Sequence, residues 1–215
     1  FTGYLERSHV KNTTISKSIA KVVQSASTTL PSLKLQALLD SVVAQKSPGA
    51  VMYISTPQGK WLGASGVSDL QSKIPMKTTD GFSIASMSKT FVSVVVLTLA
   101  EEKKLNLDQA IASYLPPEIS PHIANSSKIT VRQLLNHSSG VAEYLETEAF
   151  KKATAFKSRQ EPWTATEAIK YIYDAKPEAP PGTKFAYTDT NYILLELIVE
   201  KTTAGTLAQA IRSRI

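Results

Sequence analysis

Leu35, Leu38, Leu39, Val42 and Val43 recur at helical spacing, and the pattern then changes to a strand over Ala50 to Thr56. Pro57-Gln58-Gly59 reads as a turn, with Lys60 to Gly66 as the antiparallel partner strand. Two strands bury too little to stand alone, so further strands are expected to complete the sheet. The longest apolar run, Phe91, Val92, Val94, Val95, Val96, Leu97 and Leu99, predicts the most apolar helix of the chain. Thr130-Val131-Arg132-Gln133 and Thr164-Ala165-Thr166-Glu167 each fit a capping box, marking helix starts before Leu134 and before Ile169. Ile193 to Thr202 reads as another apolar helix with Gly205 as its stop. Pro116 to Pro121 and Pro177 to Pro181 read as loops, and Glu143 to Trp163 as an irregular stretch that overhangs a site. The expected organisation is an extension over 1–31, the first part of an α/β domain over 32–70, a helical domain over 71–205, and the start of a further helix over 206–215.

The apolar helix begins at the one chemically suggestive tetrapeptide in a structured context, Ser86-Met87-Ser88-Lys89. A serine hydroxyl needs a proton acceptor beside it to attack a carbonyl, and a lysine one helical turn away lies on the same face. Free N–H groups at a helix start also favour negative charge developing there. The spacing alone is weak, since it recurs at Ser8 to Lys11 and Ser18 to Lys21 in a polar stretch with no other sign of a site. Much further along, Pro180-Pro181-Gly182 leads into Tyr187-Thr188-Asp189 just before the Ile193 helix, adding a phenol and a carboxylate. Without further context, Ser86 and Asp189 would be read as helix caps and Tyr187 as a half-buried aromatic.

With Ser86-x-x-Lys89 as a first box and Tyr187-x-Asp189 as a second, the chain resembles the penicillin-recognising serine hydrolases. That family comprises class C β-lactamases, serine D,D-carboxypeptidases and related esterases. Leu134-Leu135-Asn136-His137-Ser138-Ser139-Gly140 is similar to its Leu-Leu-x-His-x-Ser-Gly segment, and Lys104 to Asp108 with Tyr114-Leu115-Pro116 is similar to the stretch after its nucleophile helix. The resemblance implies an α/β (α+β) fold of β-lactamase/transpeptidase type, a helical region packed on a mostly antiparallel sheet whose carboxyl-terminal strands are absent from this chain. It implies that Ser86 forms an acyl-enzyme and that Lys89 and Tyr187 share the proton relay, Tyr187 being favoured as base where lysine charge lies near its phenol. Asp189 stands where the family more often has asparagine. An ionised aspartate only accepts hydrogen bonds, so it is expected to orient substrate poorly but to pair with Lys89 and keep it charged.

The family's third box, Lys-Thr-Gly or His-x-Gly, is not found after Tyr187; Lys201-Thr202-Thr203-Ala204-Gly205 carries an extra residue. The expectation is therefore a carboxyl-terminal segment supplied in cis or by a separate chain. Net charge is +6, but the basic residues are dispersed and not interleaved with aromatics, so no nucleic-acid partner is expected. With no cysteine and with His9, His122 and His137 lacking ligand spacing, neither a metal nor a cofactor is expected. His137 reads as a structural hydrogen-bonding residue. No apolar run approaches the roughly 20 residues needed to span a bilayer, and Gly63-Ala64-Ser65-Gly66 does not complete a nucleophile elbow. The expected function is a serine hydrolase acting on D-alanyl-D-alanine peptides, β-lactams or related esters, placed in the periplasm, cell envelope or outside the cell. The alternative is a non-catalytic relative that binds cell-wall peptide or a protein partner.

Overall fold

Helix α1 (Ser32–Ala44) forms where the leucines repeat, and Leu35 and Leu39, one turn apart, are its buried residues. It packs on a hairpin of β1 (Gly49–Thr56) and β2 (Gly59–Gly66), paired antiparallel from Gly49 opposite Gly66 to Thr56 opposite Gly59. Polar side chains fix the helix on β2: Gln36 donates to the Ala64 carbonyl at 3.1 Å, and Ser65 donates to the Asp40 carboxylate at 2.6 Å. The computed structural model describes residues 30–156 and 162–215. Ser8, Lys11, Ser18, Lys21 and nearly all of the expected extension lie outside the described residues. Among the described residues the sheet has two strands. Contacts divide the chain after Ser83 into two compact units, and the hairpin with α1 belongs to the first.

The second unit is built on two long helices, α2 (Ser88–Glu101) and α6 (Thr190–Thr203), which pack together. Their buried residues are Val92, Val95, Val96 and Leu99 on α2, and Leu194, Leu195, Leu197, Ile198 and Val199 on α6. The α2 set has the 3–4–7 spacing of a single helical face. Between the two helices in sequence come α3 (Val131–Leu135), α4 (Glu148–Phe156) and α5 (Ala165–Ile169), and α7 (Leu207–Arg214) closes the chain against α2 and α6. One core joins them, with Ile111, Leu115, Ile129, Val131, Leu134 and Ile169 supplied by the loops and short helices. Burial of each leucine or isoleucine there contributes about 1.5–3 kcal/mol relative to exposure.

Both expected capping boxes are present, at Thr130 with Gln133 and at Thr164 with Glu167. A third, Thr206 with Gln209, starts α7. The stop of α6 differs from expectation: the left-handed residue is Ala204, at φ +51°, and not Gly205. Because Thr206 already caps α7 and the Leu207 N–H bonds Glu200 Oε1 at 3.2 Å, the chain must reverse one residue earlier. The stretch after Glu143 contains a 3₁₀ turn over Tyr144–Glu146 and then α4. Its aromatic residues pack on one another, Phe150 lying 4.8 Å from Tyr144, 4.9 Å from Trp163 and 5.1 Å from Tyr171 between ring centres.

Candidate active site

Ser86 sits in a 3₁₀ turn, Ala85–Met87, that feeds directly into α2. The Met87 N–H bonds the Ile84 carbonyl at 3.0 Å, and Ala85 takes φ +45°. Left-handed backbone is unfavourable for a residue with a Cβ, so this turn is held by its surroundings. It leaves Ser86 exposed, while Lys89, one turn on, has a side chain only 15% accessible. The serine therefore serves at the edge of the core.

Tyr187 reaches the same place through a template formed by the His137–Gly140 segment. The carbonyls of His137, Ser138 and Gly140 accept from the N–H groups of Ala186, Gly182 and Glu178, each at 2.8 Å. Gly140 is at φ +73°, and a Cβ there would lie 2.1 Å from the Ala179 carbonyl oxygen. Gly140→Ala is therefore expected to cost about 1–3 kcal/mol of stability through backbone strain, and to detach the Tyr187 loop. Chemical denaturation checks the first effect, and proteolysis between Pro177 and Tyr187 the second. Wild-type stability in the variant would show that the template is not needed.

Four side chains converge, all within the second unit. The Tyr187 hydroxyl donates to Ser86 Oγ at 3.0 Å and lies 3.5 Å from Asp189 Oδ1. Lys89 Nζ donates to Ser86 Oγ at 3.3 Å and to Asp189 Oδ1 at 2.5 Å, and stands 5.3 Å from the Tyr187 ring centre and 5.5 Å from that of Tyr192. Burial favours the neutral amine of Lys89, but the hydrogen bond and charge of Asp189, with those of Tyr187, outweigh it and hold its pKa above the usual 10.5. The raised pKa favours the ammonium form of Lys89, which can donate hydrogen bonds and stabilise negative charge. Asp189 stands at the start of α6 without capping it through its side chain; the carboxylate is committed to Lys89.

Residues that the sequence left unassigned complete the setting. Glu143 accepts the Asp189 N–H at 2.5 Å, orienting that residue from the overhanging stretch. Tyr192 accepts from Ser93 across α2 and α6 at 2.9 Å and donates to the Leu135 carbonyl at 3.2 Å, which fixes the two helices in register beside the site. Burial, followed by the charges of Asp189 and Glu143, pushes the Tyr144 phenol up to about 12, so it stays protonated. An open cavity of about 470 Å³ lies beside the Lys89–Asp189 pair, lined by Phe91, Tyr144, Tyr192, Ile193 and Leu207 among others. It has room for an apolar group beside that ion pair. No cluster of metal-ligating side chains occurs among the described residues.

The family model described as Beta-lactamase matches residues 35–215. A D-stereospecific amidohydrolase from Streptomyces sp. superposes with a TM-score of 0.72 at 31% identity, over 84% of this chain and 52% of that one. The D-amino acid amidase of Ochrobactrum anthropi SV3 superposes with a TM-score of 0.71 at 28% identity, over 84% of this chain and 47% of that one. Protein flp of Staphylococcus aureus (strain MW2) is 28% identical over 165 residues, which is 76% of this chain and 32% of flp. The chain thus spans about half the length of these solved relatives and about a third of the curated one. A β-lactamase/transpeptidase-like fold shared with these solved structures, together with a family match over most of its length, places this chain in the Beta-lactamase family, the penicillin-recognising serine hydrolases.

Proposed function

We propose that this protein is a serine hydrolase that works through an acyl-enzyme on Ser86. The observation that carries the reading is the position of Ser86 Oγ, within hydrogen-bonding reach of a phenol supplied 101 residues later and of an ammonium one turn away. In the reactive form Tyr187 has lost its proton. Its oxygen takes the Ser86 proton as Oγ bonds to the substrate carbonyl carbon, and passes it to the leaving nitrogen or oxygen as that bond breaks. Water then adds to the acyl carbon, giving a proton to Tyr187, which passes it to Ser86 Oγ as the acyl carbon–Oγ bond breaks, so that Ser86 is freed as the hydroxyl and Tyr187 is ready to act again. Lys89, held cationic by Asp189, stabilises the anionic phenol and the developing charge near Ser86 without itself moving a proton.

D-Alanyl-D-alanine peptides, β-lactams and related esters are the proposed substrate class. The two amidohydrolases named for D-configured substrates support a D-residue on the acyl side. Labelling with a fluorescent penicillin and with an activated p-nitrophenyl ester, followed by digestion and mass spectrometry, tests the reading. The adduct is expected on Ser86 and is expected to vanish in Ser86→Ala. Label on Ser8 or Ser18, or undiminished label in the variant, would overturn it.

A further inference from the structure

His137 is buried, 8% exposed, and stands directly behind Tyr187. The two rings stack, with centres 4.4 Å apart and planes at 27°. Its Nδ1 accepts the Thr188 N–H at 3.3 Å and is 3.1 Å from the Asn191 amide nitrogen, while Asn191 Oδ1 in turn accepts from the Ser139 hydroxyl at 2.6 Å. Since a backbone N–H can only donate, Nδ1 carries no proton and the ring is neutral. The His137 carbonyl also accepts from Ala186. One residue thus holds the backbone on both sides of Tyr187 and the face of its ring.

We propose that His137 is a positioning residue for acyl transfer, its neutral imidazole bracing the Tyr187 phenol at Ser86 and its protonation releasing that brace. The proposal rests on the roles given above to Ser86 and Tyr187. The groups facing the ring are Lys89 from α2, Tyr187 and Asp189 from the loop before α6, and Tyr192 and Asn191 from α6 itself. Burial, followed by the Lys89 charge, lowers the His137 pKa from its ordinary 6.5, against the opposing pull of Asp189. The sign follows from this lowering. The neutral brace is complete above pH 6.5 and is lost as pH falls through the depressed folded value. A protonated Nδ1 would confront the Thr188 N–H with a second donor.

Two substitutions separate the parts of the brace. His137→Asn tolerates the left-handed backbone at φ +59° and puts a carbonyl oxygen where Nδ1 was, but cannot titrate. His137→Phe keeps the stacked ring and removes the acceptor. Acylation of the full chain by the p-nitrophenyl ester is the readout. The wild-type rate is expected to fall with pH below 6.5; reprotonation of the Tyr187 base contributes to the acid limb in either protein, and His137→Asn is expected to lose the part of the fall that follows the imidazole titration. His137→Phe is expected to lower kcat by about 10- to 100-fold with little change in KM, because Tyr187 is displaced and substrate contacts are not. Nitrogen-15 NMR of the wild-type imidazole gives a measurement that needs no variant to fold. It should show Nδ1 bare and Nε2 protonated at neutral pH, with the Tyr187 ring signals shifting as His137 titrates. An acid limb of unchanged shape in His137→Asn, or a protonated Nδ1 at neutral pH, overturns the role of His137. Failure of wild-type Ser86 to label overturns the acyl-transfer reading itself, and is a separate outcome.

Discussion

Tyr187→Phe is expected to slow acylation of Ser86 by about 100- to 10,000-fold, the usual span for removing a general base. The substitution deletes one oxygen, which lies 3.0 Å from Ser86 Oγ and 3.5 Å from Asp189 Oδ1 and helps Asp189 to hold the Lys89 charge. Stacking on His137 uses the ring and survives. Tyr187 is 50% exposed, so stability should change by less than about 0.5 kcal/mol. Lys89 cannot substitute as base while Asp189 keeps it protonated. Rapid-mixing acylation kinetics alongside thermal unfolding make the check. A phenylalanine variant that acylates at the wild-type rate would transfer the base role away from Tyr187.

Asp189→Asn is expected to change both stability and pH dependence. The side chains of Lys89 and Asp189 are 15% and 29% accessible, between a surface pair and a fully buried one, so losing the carboxylate should cost about 1–3 kcal/mol. The wild-type lysine has a raised pKa, so its ion-pair stabilisation is complete below pH 10.5 and is lost as pH rises through the folded value. With asparagine, burial is no longer opposed by a paired charge, and the Lys89 pKa falls. The variant's acylation rate should then climb with pH over an interval in which wild-type Lys89 still holds its proton. Denaturant titration across pH and the pH–rate profile measure the two effects. If both match the wild type, the ion pair has no part in setting the charge of Lys89.

The residues of the site were legible in the sequence because their chemistry is local and distinctive. Ser86 and Lys89 lie one turn apart where an apolar helix begins, and Tyr187 and Asp189 directly precede another such helix. The pairing of Asp189 with Lys89 followed from the acceptor-only chemistry of a carboxylate. The support was legible only in part: His137 read as a structural hydrogen-bonding residue, but without its partners. His137 offers one imidazole in a loop, and nothing in the pattern tells that its carbonyl and Nδ1 embrace Tyr187 from a position 50 residues away, since His137 to Tyr187 is set by tertiary packing. Glu143 read only as the start of the overhanging stretch, and the contact of its carboxylate with the Asp189 N–H is likewise set by tertiary packing. The helices and capping boxes were recoverable because their signals repeat within a few residues. The stop of α6 was misplaced because the Thr206 box just beyond it was not recognised, and a capping box outweighs a nearby glycine in fixing where the chain turns.

Helices α2 and α6 belong to opposite ends of the second unit's sequence, yet they form one layer of its core and are hydrogen-bonded through Ser93 and Tyr192. The candidate constellation of Ser86, Lys89, Tyr187 and Asp189 straddles that seam. Its two halves, Ser86 with Lys89 and Tyr187 with Asp189, cannot meet before the intervening chain has brought the two helices together, so competence to react should arise late in refolding, with the core and not ahead of it. On the proposed acyl-enzyme reading Ser86 would act as its own quality control: a chain whose interior has not consolidated would present an ordinary hydroxyl, and only a consolidated one would present a nucleophile.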